Sequence, residues 1–130
     1  MGENVILEEL NYIIEQINEC LKFMEEISQP RVGTVFWRLF FPAGQFSQAK
    51  SAAKAAAAIL NLIDKRLDEM ANTLQKNYHP FAPSIYNLRN FKLDEMAGKL
   101  IEIPEREQYI RPQIENLRDQ IEEYIRDFQR

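Results

Sequence analysis

Residues 6–27 read ILEELNYIIEQINECLKFMEEI, and the spacing of apolar side chains in this stretch decides the fold. Ile6, Leu10, Ile13, Ile17, Cys20, Met24 and Ile27 follow one another at alternating steps of four and three. A helix of about 3.6 residues per turn places all of them on one stripe. Leu7, Ile14 and Leu21 lie beside the stripe and widen it. A stripe this wide packs against two neighbours, as in a bundle.

The same heptad-like step recurs twice downstream. Ala49, Ala53, Ala56, Leu60, Ile63, Leu67, Met70 and Leu74 form a second stripe, and Ile110, Ile114, Leu117, Ile121, Tyr124 and Phe128 a third. The first half of the second stripe is alanine, which favours helix and lets a neighbour approach closely. Pro30 and Gly33 close the first helix. Pro42 and Gly44 punctuate the stretch before the second, whose expected N-cap is Ser47. The run Asn77-Tyr78-His79-Pro80-Phe81-Ala82-Pro83 stops a helix, because proline removes a donor and clashes with the preceding turn. Ser84 is the expected cap of a shorter third helix reaching about Leu100. Pro104, with Glu105 and Glu107, reads as a first turn carrying acids at the positive end of the dipole. Pro112 must kink the last helix or move its start to about Arg111.

The expected fold is therefore all-α: a four-helix bundle in up-down antiparallel order, forming a single domain over 1–130. Its helices lie near 4–28, 46–77, 84–101 and 104–129, with a long aromatic connection between the first two. The second helix would span about 45 Å. The alternative is a helical hairpin that completes its core by dimerising.

One segment is repeated. Residues 59–74 read ILNLIDKRLDEMANTL and residues 85–100 read IYNLRNFKLDEMAGKL, identical at nine of 16 positions. Two copies do not make a solenoid, so the repeat predicts two helices with a similar packing face. Asp68, Glu69, Asp94 and Glu95 fall off the apolar stripe, which predicts exposure.

Charge is uneven along the chain. Residues 27–63 contain no Asp or Glu, although the chain holds 20 acids and a net charge of −4. Residues 1–28 sum to −6 and residues 29–63 to +4. The acidic first helix could neutralise the basic stretch within one fold. The net charge argues against nucleic acid as a partner. Cys20 is the single cysteine, so no intramolecular disulfide forms. The N-terminus lacks a signal-peptide pattern, and no 18-residue apolar run suggests a membrane span. The expected location is cytoplasmic, with attachment to a membrane surface as a variant.

Chemistry-bearing motifs are scarce. Di-iron bundles need Glu-x-x-His pairs, and His79 is the only histidine. No zinc set is possible with one Cys and one His, so no metal or cofactor is expected. Glu8, Glu15 and Glu19 sit on a polar helix face. Cys20 lies on the apolar stripe, where a thiol is inert packing. No GxSxG, P-loop, dinucleotide-binding or HExxH pattern occurs, so no enzyme is expected.

The remaining signal is the stretch Val32–Pro42, VGTVFWRLFFP. It supports three readings. The aromatic side chains could close one end of the bundle, since each stabilises by about 1.5–3 kcal/mol when buried. They could anchor a protein partner or a homodimer, where Trp, Phe and Arg are enriched. They could also enter an anionic membrane surface beside basic residues. The candidate binding residues are Arg31, Phe36, Trp37, Arg38, Phe40, Phe41, Phe46, Lys50 and Lys54. The sequence favours a non-catalytic helical interaction or adaptor protein using segment 31–46 and the adjoining helix faces. A peripheral membrane module using the same residues is the second reading. A small-ligand carrier or enzyme is the third, its pocket lying beside the alanines at 52–58 and lined by Trp37, Tyr78, Phe81 and Tyr86.

Overall fold

The computed structural model describes residues 2–28 and 42–130, with side chains described for 2–28 and 48–130. Its helices are α1 (Glu3–Ser28), α2 (Pro42–Lys76), α3 (Ala82–Leu88), α4 (Leu93–Glu102) and α5 (Glu107–Gln129). Short 3-10 turns at Arg89–Phe91 and Pro104–Arg106 join α3 to α4 and α4 to α5. Because α3 and α4 together make one rod, the architecture is a four-helix bundle.

Long-range pairs give the order of the rods. Arg66 of α2 bonds Glu9 of α1 at 3.2 Å, and the Cys20 thiol lies 3.6 Å from the Ala56 carbonyl. Residue numbers rise on one helix as they fall on the other, so α1 and α2 are antiparallel. Arg118 reaches Asn18 and Arg111 reaches Ser28, which makes α5 antiparallel to α1 as well. Tyr86 bonds Asn72, and Arg89 pairs with Asp68 at 2.9 Å, so the third rod runs back along α2. The result is the expected up-down-up-down ring. The α1 stripe from Ile6 to Met24, the α2 stripe from Ala53 to Leu74 and the α5 stripe from Ile110 to Ile121 meet in one core cluster.

Three boundaries differ from expectation. Helix α2 starts at Pro42, not near 46, so Ser47 is inside the helix. Proline suits a first helical position, where its missing N–H has no intrahelical partner anyway. Helix α3 starts at Ala82 with Pro83 in its first turn, so Ser84 is not the cap. Pro112 lies within α5, which begins at Glu107. It removes only the bond that the carbonyl of Gln108, an exposed residue, would accept.

The repeat explains the fourth difference. Leu67, Met70, Ala71 and Leu74 are buried, and so are their equivalents Leu93, Met96, Ala97 and Leu100. Upstream the copies part. Buried Ile63 corresponds to Arg89, which a straight helix would drive into the core. The rod instead breaks at Lys92, whose backbone is left-handed at φ 53°. The break turns Ile85 and Leu88 inward and lets Arg89 point out to Asp68 and over the Tyr86 ring. A buried guanidinium without a partner costs far more than one left-handed residue. The predicted single helix over 84–101 is thus two helices. Glu69, Asp94 and Glu95 are exposed as expected, whereas Asp68 is half-buried. Burial, then the charges of Asp94 and Asp68, push the Asp64 carboxyl up.

Candidate interaction site

The two ends of the bundle are built differently. At one end α2 finishes in a Schellman turn. The His79 N–H reaches the Leu74 carbonyl at 2.9 Å and the Tyr78 N–H reaches Gln75 at 3.0 Å. Tyr78 takes the left-handed position at φ 52°, where glycine is usual. Phe81 then meets Tyr124 and Phe128 edge-on at 5.4 and 4.7 Å, and His79 stacks on Phe128. The Tyr124 hydroxyl, pushed up chiefly by burial, donates to the Ser84 carbonyl. These rings seal the end. Beside them lies a shallow open recess of about 390 Å³ lined by Asn72, Gln75, Lys76 and Tyr78. The Tyr86 hydroxyl bonds both Asn72 and Gln75 along its edge.

The opposite end gathers the last turn of α1, the start of α2, the end of α4 and the start of α5. The Pro104–Arg106 turn lies against both α1 and α2 there. Helix α1 has no basic residue in its own last turn. Arg111 of α5 supplies one, donating from Nη2 to the Met24 carbonyl at 3.0 Å and to Ser28 Oγ at 2.8 Å. A cation there also offsets the negative end of the helix dipole. The Glu107 carboxylate is 2 % exposed, and its Oε2 stands 2.8 Å from the same Nη2. Both Nη2 protons already point at α1, so the carboxylate makes an ion pair without an aligned hydrogen bond. Glu107 Oε2 and Arg111 Nε consequently have no hydrogen-bond partner.

Around this bracket apolar side chains face solvent. Ile101 is 49 % exposed, Ile103 39 % and Tyr109 74 %. Ile101 and Ile103 fall off the Leu93–Met96–Leu100 stripe, and nothing in the core can take them. Sequence reasoning missed them. The signal was present, as apolar residues one and three places past the stripe and just before Pro104.

Of the predicted binding residues, Lys50 and Lys54 are exposed on the first half of α2, near this end. Among the described residues neither pairs with a carboxylate. Among the described residues α1 pairs with α2 instead through Glu9 and Arg66. Phe46 is within α2, but its side chain lies outside the described residues, as do Arg31, Phe36, Trp37, Arg38, Phe40 and Phe41. Of the residues predicted to line a ligand pocket, Trp37 lies outside the described residues and the others fall in two places. Ala52, Ala53, Ala56 and Ala57 are buried in the core, whereas Tyr78, Phe81 and Tyr86 belong to the sealed end, about 30 Å along α2.

Cys20 is buried, and burial pushes its thiol up to about 12. A thiol so protonated is a poor nucleophile. Among the described residues no three His, Cys, Asp or Glu side chains group as a metal site. No described helix is long and apolar enough to cross a membrane. No protein-family model, curated protein or solved structure matches the chain.

Proposed function

We propose that this chain is a non-catalytic helical interaction protein that docks a protein partner on the open end of the bundle. The observation that carries the reading is the exposure of Ile101, Ile103 and Tyr109 around that end. An exposed apolar patch on a small helical protein marks an interaction surface. The sequence between α1 and α2 holds Phe36, Trp37, Phe40 and Phe41 with Arg31 and Arg38, and Phe46 follows within α2; this reading assigns them to the same partner surface. Lys50 and Lys54 extend the basic character along α2. The partner's matching face is apolar at its centre and acidic at its rim.

The test compares affinity capture by the wild-type chain with capture by Ile101→Ser/Tyr109→Ser and by Lys50→Glu/Lys54→Glu. All four positions are exposed, so the variants keep their fold. The reading requires a protein that rebinds in purified form and loses at least about tenfold in affinity to each variant. Equal binding by all three chains would remove the open end as the site. Salt-sensitive co-sedimentation with phosphatidylserine vesicles, lost with Lys50→Glu/Lys54→Glu, would transfer the site to a membrane surface instead.

A further inference from the structure

The side of the bundle formed by α1 and α2 carries two charged ridges that share only Lys54 with the open end. On α1, Glu8, Glu15 and Glu19 are exposed, and steps of seven and four put them within an arc of about 40°. On α2, Lys54, Lys65 and Lys76 are exposed at steps of 11 residues, again within about 40°. Each ridge lies roughly opposite its helix's core stripe. Because the helices stand side by side, the ridges diverge on one molecule. Among the described residues no ion pair links them; Glu19 pairs only with Lys22 of its own helix. Between the ridges run half-buried Tyr12, Phe23, Ile59 and Leu62, with Arg66 stacked over the Tyr12 ring at 4.4 Å.

A twofold axis parallel to the helices, in front of this face, sets α1 of one copy across from α2 of the other. Ridges that diverge on one copy then converge on the opposite ridges of its partner, once at each edge. The heights agree. Glu9 is level with Arg66 and Cys20 with Ala56. Lys65 therefore falls between the heights of Glu8 and Glu15, and Lys54 within about one turn of Glu19; exposed Lys22 and Glu69 stand beside these ridges, so the match is one of net charge, three lysines and one acid against three acids and one lysine. Lys76 falls within about one turn of Glu3. The central strip of Tyr12, Phe23, Ile59 and Leu62 meets its own copy across the axis. A face about 39 Å long and two helices wide offers about 800 Å² per copy, the size of a standard specific interface.

We propose that the α1–α2 face pairs two copies of this chain, acidic ridge of each α1 against lysine ridge of the other's α2. The twofold makes the contact isologous and closed, so it ends at a dimer and leaves both open ends free. This surface shares only Lys54 with the proposed docking end, and the reversal of Glu8, Glu15 and Glu19, which leaves that end unchanged, tests it apart from the docking reading.

The test is light scattering on the full chain across a wide concentration range at low and high salt. Three variants accompany it: Glu8→Lys/Glu15→Lys/Glu19→Lys, Lys54→Glu/Lys65→Glu/Lys76→Glu, and the chain with both sets. Exposed positions keep the helicity unchanged, which circular dichroism checks. The wild type is expected to dimerise, more weakly in salt. Each single-ridge reversal weakens the dimer by at least about tenfold through like-charge apposition. The chain with both reversals pairs with itself but not with wild type, which separates ridge matching from general attraction. A wild type that stays monomeric throughout overturns the proposal. So does a dimer that survives either single-ridge reversal, or a doubly reversed chain that mixes freely with wild type.

Discussion

The sealed end and the open end of the bundle solve the same problem with opposite materials. Where α2, α3 and α5 meet, Phe81, Tyr124, Phe128 and His79 interlock, while Tyr78, at 94 % exposed, and Val5, at 50 %, stand outside. Where α1, α4 and α5 meet, a buried ion pair holds the helix ends, and Ile101, Ile103 and Tyr109 stay in water. Rings seal by excluding solvent and need no partner. A charged bracket fixes position without covering apolar surface. The difference teaches that two ends of one bundle can be held by different means, one by ring packing and the other by a charged bracket.

The largest way to break this comparison is at the bracket. Arg111→Met leaves the Glu107 carboxylate buried without its cation and frees the Met24 carbonyl and the Ser28 hydroxyl. The expected loss is about 2–4 kcal/mol, read as a lower urea midpoint. Restoring neutrality with Glu107→Gln in the same chain should recover a good part of that loss. Next comes the sealed end. Phe81→Ala removes two edge-on ring contacts and should cost about 2 kcal/mol, seen as a lower Tm. A cost near zero would mean that the rings do not seal the core.

Smaller effects sharpen the contrast. Tyr78→Gly relieves a left-handed residue in the Schellman turn and should raise stability by about 0.5–1 kcal/mol. Stability unchanged or lowered would show that the exposed ring supports the fold. Ile101→Ser/Tyr109→Ser should move the urea midpoint least, within about 0.5 kcal/mol. A large loss there would mean that these side chains belong to the core and that the open end is not open.

Much of this molecule is legible as spacing. The stripes of α1, α2 and α5 are long and regular, and every expected α1 position from Ile6 to Met24 is buried. Periodicity failed where tertiary demand overrode it. Residues 85–100 share a motif with a straight helix, yet the single exchange of Ile63 for Arg89 makes continuation costly. The break at Lys92 was readable only by asking which residue a straight rod would bury. Glu107 reads in sequence as a dipole-compensating surface acid. Its burial depends on Arg111 being drawn to a helix 87 residues away, at the Met24 carbonyl. No local pattern encodes that pairing. The apolar end residues were hidden for a similar reason, since exposure is decided by where α4 stops relative to its neighbours.

The most direct test of the docking account uses Trp37, the single tryptophan of the chain. Its emission and iodide quenching are measured at a concentration and salt where light scattering reports a monomer, and again with the purified partner. The account predicts a red-shifted, quenchable signal in the free chain that becomes protected on binding. A blue-shifted signal that iodide cannot reach in the monomer would contradict it, because the aromatic segment would then already be part of the bundle's own core.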